Sequence, residues 1–505
     1  MEAQSAFGHG SVAFTKLPHS QWTDYFLKVP LNDSEFDVTT REIDILKPEV
    51  RELLSSEEHA FQRIEDLIGD ENDLSLITIM FRVFRTYGHN MSSDVFKRFI
   101  GDDGKLEEPL MGDAKDILSL YGAAHFGTTT DYILEKVLMF TSNHLESLLA
   151  GGTCPPHISR LIRNTLYLPQ RWNMEAVVAR EYITFYEQEE DHDKMLLKLA
   201  KLNFKLLQLH YIKELKTFIT WWMKLDLTSK IPTQFRERIV EAWLAGLMIY
   251  FEPQFSGGRV IAAKFIYLLT ILADACDHYF SIPELTRLVE CVVRWSPDEV
   301  DTLEEMSRLV FQLTLDVFDD IERELKILVR ANLDLIKWAR GNQMPCFEEY
   351  VEVGGVALTS YATLMYSFVG MGETVVKEAY EWVISRPKLI KSLAAKGRLM
   401  DDMTDFENDM SNGFAANAIN YYMKQFLVTK EEAILECQKM IVDTNKTVNE
   451  ELLKTTAVPH LVLKQAHNFG RLLHVLDSHS DDIYNCSEGK LKEYIVTLLV
   501  DPIRF

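Results

Sequence analysis

Hydrophobic residues recur at three- and four-residue steps along much of the chain. Leu199, Leu202, Leu206, Leu209 and Ile212 illustrate the spacing, which places all five on one face of an α-helix. Alternation of apolar and polar residues between turn residues, the pattern of a half-buried strand, is scarce. The pattern therefore predicts an all-α fold.

Glycine and proline mostly separate these periodic segments instead of interrupting them. Gly151-Gly152 and Pro155-Pro156 predict the end of one helix pair. A polar connection runs from Asp226 to Pro232, and we find no internal repeat or low-complexity linker. We therefore predict two helical domains, residues 1–228 and 229–505.

One segment of the second half carries a carboxylate every four residues. Asp401, Asp405 and Asp409 follow Arg398 and lie on one face of the predicted helix. Like charges at this spacing destabilise a helix unless cations sit on it, and magnesium prefers carboxylate oxygen and bridges phosphates. The face is either a solvated acidic surface or a metal site, and a second acidic element favours the metal site.

That second element begins as an apolar run at Tyr267 and ends in Asp274 and Asp277. Carboxylates at the end of an apolar helix are costly when they are buried and unpaired. A metal site at the mouth of an apolar cavity removes this cost. Upstream, Arg236 and Arg238 offer forked donors to an anion held by such metals. Two acidic helices preceded by a pair of arginines indicate a site for diphosphate chemistry.

Composition limits the classes of partner. The 505 residues are 47% hydrophobic and include 53 lysines and arginines against 76 aspartates and glutamates, a net charge of -23. Nucleic acid and anionic membranes require a cationic surface, so neither is expected as a partner. The longest apolar run, near Phe265 to Ala273, is shorter than the roughly 18 residues of a membrane span.

Cysteine usage and the N-terminal residues predict the compartment. The six cysteines contain no CxxC pair, which favours free thiols in a reducing compartment. The first forty residues contain no arginine and several acidic residues, unlike a transit peptide. We expect a cytoplasmic protein.

The order of these motifs resembles the plant class I terpene synthases, in particular the cytosolic sesquiterpene cyclases of the cadinene and aristolochene kind. The resemblance runs nearly end to end. It is carried by Ser20–Leu27, Leu196–Phe204, Glu214-Leu215 with Trp221-Trp222, Tyr250–Ser256, Phe347–Tyr350, Ser367–Gly372, Ser385–Ile390 and Leu498–Ile503, together with the acidic and basic elements. Each segment is weak alone, but their order and spacing are highly specific.

The resemblance implies a catalytically silent N-terminal helical domain and a C-terminal α-helical domain with the active site. It implies that Mg²⁺, with Mn²⁺ as an alternative, grips a prenyl diphosphate between the acidic helices and leaves an allylic cation in an apolar cavity. Arg236 and Arg238 match the pair that receives the departing diphosphate, and Arg398 matches a further basic contact. Asp481 matches an aspartate of the cavity. We expect a small prenyl diphosphate as substrate, neither nucleic acid nor a membrane as partner, and a monomer.

The chain also departs from the family pattern. The family's first motif is DDxxD with metal on its first and last aspartates, but Ala273 occupies the first position and leaves Asp274 and Asp277. The second motif keeps oxygen ligands at all three positions, with Asp405 more acidic than the usual serine or threonine. Further changes, in supporting positions, are Ala245, Leu335, Glu407, Asn412, Asp477 and Ile483. These changes lower positive charge near the leaving group and remove aromatic faces that steady a cation.

Two hypotheses follow. The first is a magnesium-dependent sesquiterpene synthase, a carbon–oxygen lyase that ionises farnesyl diphosphate with Asp274 or Asp277 and the second motif. The second is a terpene synthase fold that no longer ionises diphosphates and acts by binding a ligand or partner, or by protonating a substrate without diphosphate. No phosphate-cradling GxxxxGK[ST], HExxH or GxSxG motif is present, so nucleotide hydrolysis, zinc proteolysis and serine esterase activity lack their residues.

Overall fold

The computed structural model describes residues 22–55, 74–99, 101, 113–227, 237–275, 280–295, 301, 303, 307–308, 310–311, 322–340, 344–369, 371, 377–411, 413–476 and 489–505. Within these ranges the regular elements are helices and no strand occurs. The predicted all-α fold is therefore confirmed.

The helices of the first half lie in the order α1 (Trp22–Lys28), α2 (Asp33–Ser55), α3 (Leu74–Thr86), α4 (Ala114–Ala124), α5 (Tyr132–Gly151), α6 (Pro156–Tyr167), α7 (Glu175–Tyr186) and α8 (Lys194–Leu225). Short 3₁₀ helices cover Ser93–Phe99 and Gln170–Trp172.

The helices of the second half are α9 (Ile239–Ile249), α10 (Ser256–Asp274), α11 (Ile282–Arg294), α12 (Glu322–Arg340), α13 (Phe347–Ala357), α14 (Ser360–Val369), α15 (Lys377–Ile384), α16 (Lys388–Ser411), α17 (Ala418–Phe426), α18 (Lys430–Lys454), α19 (His460–Leu476) and α20 (Lys490–Ile495). A 3₁₀ helix covers Pro253–Phe255, and a π-helix covers Val496–Val500.

Helix α8 shows how the sequence sets these elements. It begins after Asp193, whose carboxylate accepts hydrogen bonds from the backbone N–H groups of Met195 and Leu196, both at 2.8 Å. It ends where Asp226 adopts a left-handed conformation with φ 49°. Leu202, Leu209 and Ile212 of the predicted face are buried. The predicted boundary at residue 228 adjoins residues 228–236, which lie outside the described ranges, and it stays a prediction.

One large hydrophobic core joins the two halves, because it contains residues of α8 as well as residues of α9, α10, α16 and α19. A buried ion pair reinforces the contact of α8 with α10. The Arg259 guanidinium donates to both carboxylate oxygens of Glu214 at 2.7 and 2.8 Å and to the carbonyl oxygen of Tyr250 at 2.9 Å. These contacts satisfy hydrogen-bond donors of a fully buried arginine. They also set the position of α10, whose last residue is Asp274.

The segment Pro253–Asp274 is long and apolar enough, by length and composition, to cross a membrane. In the structure 67% of its most apolar stretch is buried inside the protein. The segment is therefore a core helix of the second half of the protein.

A charged residue lies unexpectedly in the contact of α16 with the first half. Lys396 is fully buried, and its Nζ has no hydrogen-bond partner among the described residues. The ammonium lies 3.9 Å from the centre of the Trp172 ring, a cation–π contact. Burial lowers the pKa of Lys396 to about 7, since the surroundings oppose the charged form.

We expect Lys396→Met to stabilise the protein, and the gain to depend on pH. In the unfolded chain the lysine keeps its ordinary pKa, so below about pH 7 both states are protonated and folding bears the full cost of burying the charge. As pH rises from 7 towards 10, Lys396 loses its proton in the folded protein before it does so in the unfolded chain. The cost of burying the charge then falls, so the stability gained from methionine shrinks. We expect about 2–4 kcal/mol at pH 6, measured by denaturant unfolding.

Lys391→Met is the matched control, because Lys391 is exposed on the same helix. It should change the free energy of unfolding by about 0.5 kcal/mol or less at either pH. A gain for Lys396→Met that is equal at pH 6 and pH 9 would contradict the expectation.

Candidate active site

The candidate site is built on the acidic face of α16. Asp401, Asp405 and Asp409 are all partly buried and stand one turn apart on this helix. The structure therefore brings these three predicted ligands together on one face, as their spacing requires. Within the described ranges no three histidine, cysteine or acidic side chains are placed to hold a metal ion as a group.

Arg398 lies at the base of this face. Its Nη2 atom donates hydrogen bonds to the carboxylates of both Asp401 and Asp402. Burial alone would lower the pKa of Arg398, but Asp402 and Asp401 outweigh it and hold the pKa above its ordinary value. The guanidinium therefore stays charged, and part of its charge is shared with a predicted metal ligand.

Two glycines of α13 allow Arg398 to occupy this place. A Cβ atom on Gly354 would lie 2.3 Å from Cδ of Arg398, and one on Gly355 would lie 3.0 Å from the backbone of Ala394. Any side chain at 354 must therefore displace the aliphatic stem of the arginine. The absence of a side chain brings α13 and α16 into close contact.

We expect Gly354→Ala to lower kcat/KM for a prenyl diphosphate by roughly tenfold or more, because moving Arg398 disturbs the acidic face it organises. Steady-state kinetics measures the effect. Gly257→Ala is the control, since a Cβ atom there meets nothing within 4 Å and α10 gains roughly 1 kcal/mol of helix propensity. Equal kcat/KM values for the two variants would contradict this role of Gly354.

Asp402 joins α16 to the next helix. Its side chain is fully buried, and one carboxylate oxygen accepts a 2.7 Å hydrogen bond from the backbone N–H of Ala418, the first residue of α17. A helix N-terminus favours a carboxylate. Burial raises the pKa of Asp402 to about 6 although Arg398 opposes the shift. The carboxyl is therefore mostly ionised at neutral pH.

Asn417 completes the connection between α16 and α17. Its side-chain oxygen caps α17 by accepting from the backbone N–H of Ile419 at 2.9 Å. Its Nδ2 donates at 2.9 Å to the backbone oxygen of Asp402 and, also at 2.9 Å, to Oδ2 of Asp409. The orientation of Asp409 therefore depends on the capping residue of the following helix.

The donor type of this face suits a hard divalent cation, although its three carboxylates are not gathered into one ligand group in the described residues. Asp401, Asp405 and Asp409 supply only oxygen donors, the ligand type that Mg²⁺ prefers. Burial raises the pKa of Asp409 to about 7 despite the hydrogen bond from Asn417. The carboxylates of Asp402 and Asp401 also raise this pKa and Arg398 opposes the rise only in part, so a bound cation would supply further positive charge that favours the ionised carboxylate.

The structure describes the first acidic element only in part. Asp274 is buried with 2% of its surface exposed, whereas Ala273, where the family pattern has its first aspartate, is half-buried. Arg238 is also buried, and its Nη1 donates to the backbone oxygen of Glu237 at 3.3 Å. Asp277, Arg236 and Asp481 lie outside the described residues. Their roles, and those of Asp274 and Arg238, stay predictions.

Three of the departures from the family pattern can be placed. Ala245 is buried in α9, and Leu335 packs against the hydrophobic cluster beneath the acidic face. Glu407 is exposed and forms an ion pair with Lys430 of α18, so it lies on the surface of α16. Asn412, Asp477 and Ile483 lie outside the described residues.

Sequence reasoning missed the residues that hold the acidic face in place: Asp402, Asn417 and Gly354. The burial of Asp402 could have been predicted from the sequence. Asp402 follows Asp401 and is therefore turned about 100° around the helix, away from the acidic face and towards the protein interior. Asn417 and Gly354 act through contacts between helices, which spacing along one helix does not reveal.

Comparison with known proteins agrees with the predicted family. Residues 223–447 match the model of the terpene synthase family, metal binding domain, and residues 58–166 match that of the terpene synthase, N-terminal domain. The chain is 74% identical to (Z)-gamma-bisabolene synthase 2 and 52% identical to alpha-barbatene synthase, both of Arabidopsis thaliana, with all of each chain covered.

The fold is shared with isoprene synthase from grey poplar leaves, which was solved in complex with three Mg²⁺ ions and dimethylallyl-S-thiolodiphosphate. The TM-score is 0.85 at 22% identity, and the match covers 94% of this chain and 99% of that one. At this identity the likeness concerns the fold alone. On the two family models and its full-length relatives, the chain belongs to the terpene synthase family and is an enzyme of that class.

Proposed function

We propose that this terpene synthase is a magnesium-dependent sesquiterpene synthase that ionises farnesyl diphosphate and cyclises the resulting cation. The observation that carries the proposal is the acidic face of α16, which presents Asp401, Asp405 and Asp409; Arg398 orients Asp401 and Asn417 orients Asp409. The substrate class is supported by the 74% identical relative, a bisabolene synthase, whose name denotes a C15 product.

Each part of the face has a chemical task. Asp401, Asp405 and Asp409 would hold Mg²⁺, which when bound supplies the positive charge that draws electrons towards the leaving diphosphate. Arg398 keeps Asp401 in position and adds a guanidinium beside the diphosphate site. Arg238, at the start of α9, would receive the departing anion, in keeping with its match to the family's arginine pair.

The apolar helices exclude water from the cation. The residues of α9 are all buried, and α10 is buried over most of its length. An allylic cation formed among such side chains is protected from capture by solvent. Ala245 is small where the family has a tryptophan, so this part of the enclosure has a different shape from that of the family pattern.

Incubating the purified protein with Mg²⁺ and farnesyl diphosphate should release diphosphate and a C15 hydrocarbon or alcohol, detected by gas chromatography with mass spectrometry. Chelation with EDTA should stop the reaction. Geranyl and geranylgeranyl diphosphates should react more slowly, because the proposal assigns a C15 substrate. If all three diphosphates stay intact, the proposal is wrong. The cytoplasmic location, the monomeric state and the use of Mn²⁺ stay predictions.

A further inference from the structure

A groove in the first half of the protein is separate from the acidic face of α16. It has a volume of about 900 Å³ and lies between α3, α4, α6 and α7, a size typical of small-molecule sites. Leu118, Leu161, Tyr182 and Phe185 contribute apolar and aromatic surface to its walls. We refer to it as the α3–α7 groove.

Arg82 of α3 lines this groove without a carboxylate partner. Its Nη2 donates a 2.8 Å hydrogen bond to Oε1 of Gln170, and among the described residues it forms no ion pair. A Cβ atom on Gly122 would lie 3.4 Å from the centre of the guanidinium, so the charged group lies directly against α4. Burial lowers the pKa of Arg82, which indicates a cation with little water around it and no neutralising anion.

Two further guanidinium groups make this end of the groove positive. Arg171 donates to Oδ1 of Asn449 at 3.2 and 3.1 Å and stacks 4.3 Å from the centre of the Phe126 ring. Arg471 pairs with Glu175, the only one of the groove's acidic residues paired with an arginine. Glu175 is therefore shared by Arg171, Arg471 and Lys464, which leaves this end of the groove positive.

The acidic residues at the other end do not neutralise Arg82. Glu189 forms an ion pair with Lys115, and its other carboxylate oxygen lies 3.4 Å from Nε2 of His157, while Asp191 is exposed. A negative group placed beside Arg82 would thus gain an ion pair, which no described side chain provides.

We propose that the α3–α7 groove binds an amphipathic anion, a small molecule with an apolar chain and one carboxylate or phosphate head. The head contacts Arg82, and the chain lies along Tyr182 and Phe185. Both parts of the groove are required: the apolar walls favour removal of the chain from water, and Arg82 fixes the charged end.

The test uses laurate and dodecyl phosphate, which share the chain and differ in the head, with dodecanol as the neutral control. Isothermal titration calorimetry of the full-length enzyme in EDTA separates this groove from metal-dependent diphosphate binding. We expect at least one of the two anions to bind saturably, with one molecule per protein. The ratio of the affinities of laurate and dodecyl phosphate identifies the preferred head group. Dodecanol should bind at least roughly tenfold more weakly than the anion, because its neutral hydroxyl cannot form an ion pair with Arg82.

Two variants address the two parts of the groove separately. Arg82→Met should weaken binding of the anion roughly tenfold to hundredfold, and Arg163→Met, an exposed arginine of α6, should leave it unchanged. Ala179→Trp introduces a large ring from an exposed position that lines the groove and should block the apolar chain without altering the fold.

The proposal is overturned if neither anion binds saturably, if dodecanol binds as tightly as the anions, or if Arg82→Met and Ala179→Trp both bind like the unchanged enzyme. These outcomes do not depend on the reaction at α16, since the titrations contain no divalent metal.

Discussion

An Asp409→Ala enzyme is expected to release diphosphate from farnesyl diphosphate at least about a hundredfold more slowly than the unchanged enzyme. Replacing residues that only support metal ligands typically costs tenfold to a hundredfold, so the loss of a ligand should cost at least as much. Asp409 is the last of the three oxygen donors on α16, and the 2.9 Å hydrogen bond from Asn417 holds it in place. Its loss leaves two donors for a cation that prefers oxygen ligands in a defined geometry.

The measurements are kcat and the Mg²⁺ concentration that gives half-maximal rate, which should rise in the variant. Glu407→Ala is the matched control, because Glu407 lies two residues away on the same helix with 78% of its side chain exposed. It should leave both quantities within about twofold, since surface ion pairs contribute little. A kcat for Asp409→Ala within threefold of the unchanged enzyme would remove this residue from the metal site.

The sequence was sufficient to predict the helical fold and the acidic face, because both follow from periodicity within one helix. Residues four apart lie on one side whatever the helix packs against, so Asp401, Asp405 and Asp409 could be grouped in advance. The apolar period likewise predicted the buried face of α8, where Leu202, Leu209 and Ile212 are buried.

The supporting residues could not be predicted, because they act between helices. Gly354 matters only because α13 crosses α16 opposite Arg398, and Asn417 matters because α17 begins beside Asp409. The burial of Lys396 also depends on packing, since lysine is almost never fully buried and its ammonium lies over Trp172 from the other half of the chain.

The first acidic element shows a further limit of the sequence. The sequence predicts that Asp274 and Asp277 both lie at the mouth of a cavity. In the structure Asp274 is 2% exposed, while Ala273 retains more exposure. Adjacent helical positions point about 100° apart, so the two positions have different surroundings.

Asp402→Ala is expected to destabilise the enzyme by about 3–5 kcal/mol, because removing one member of a buried ion pair leaves the other charge without compensation. Arg398 is 8% exposed and would keep only Asp401 as a carboxylate partner. The N-terminus of α17 would also lose the acceptor that Ala418 contacts at 2.7 Å. We expect the thermal unfolding midpoint, measured by circular dichroism, to fall by roughly 3–5 °C, since an unfolding entropy of about 2.1 cal/mol/K per residue makes each kcal/mol correspond to about 1 °C in a chain of this length.

A matched pair of variants separates the buried charge from the loss of any aspartate. Asp443→Ala removes an aspartate with 75% of its side chain exposed, 3.5 Å from Lys446, and should shift the midpoint by about 1 °C or less. Asp402→Asn keeps the size of the side chain but removes the charge that Arg398 requires, so its midpoint should lie between those of Asp402→Ala and the unchanged enzyme. A midpoint for Asp402→Ala equal to that of Asp443→Ala would show that Asp401 alone compensates Arg398. In that case Arg398 would depend mainly on Asp401, a predicted metal ligand. Asp402 would then not reduce the hold of Arg398 on Asp401, and would not help to keep Asp401 available to a cation.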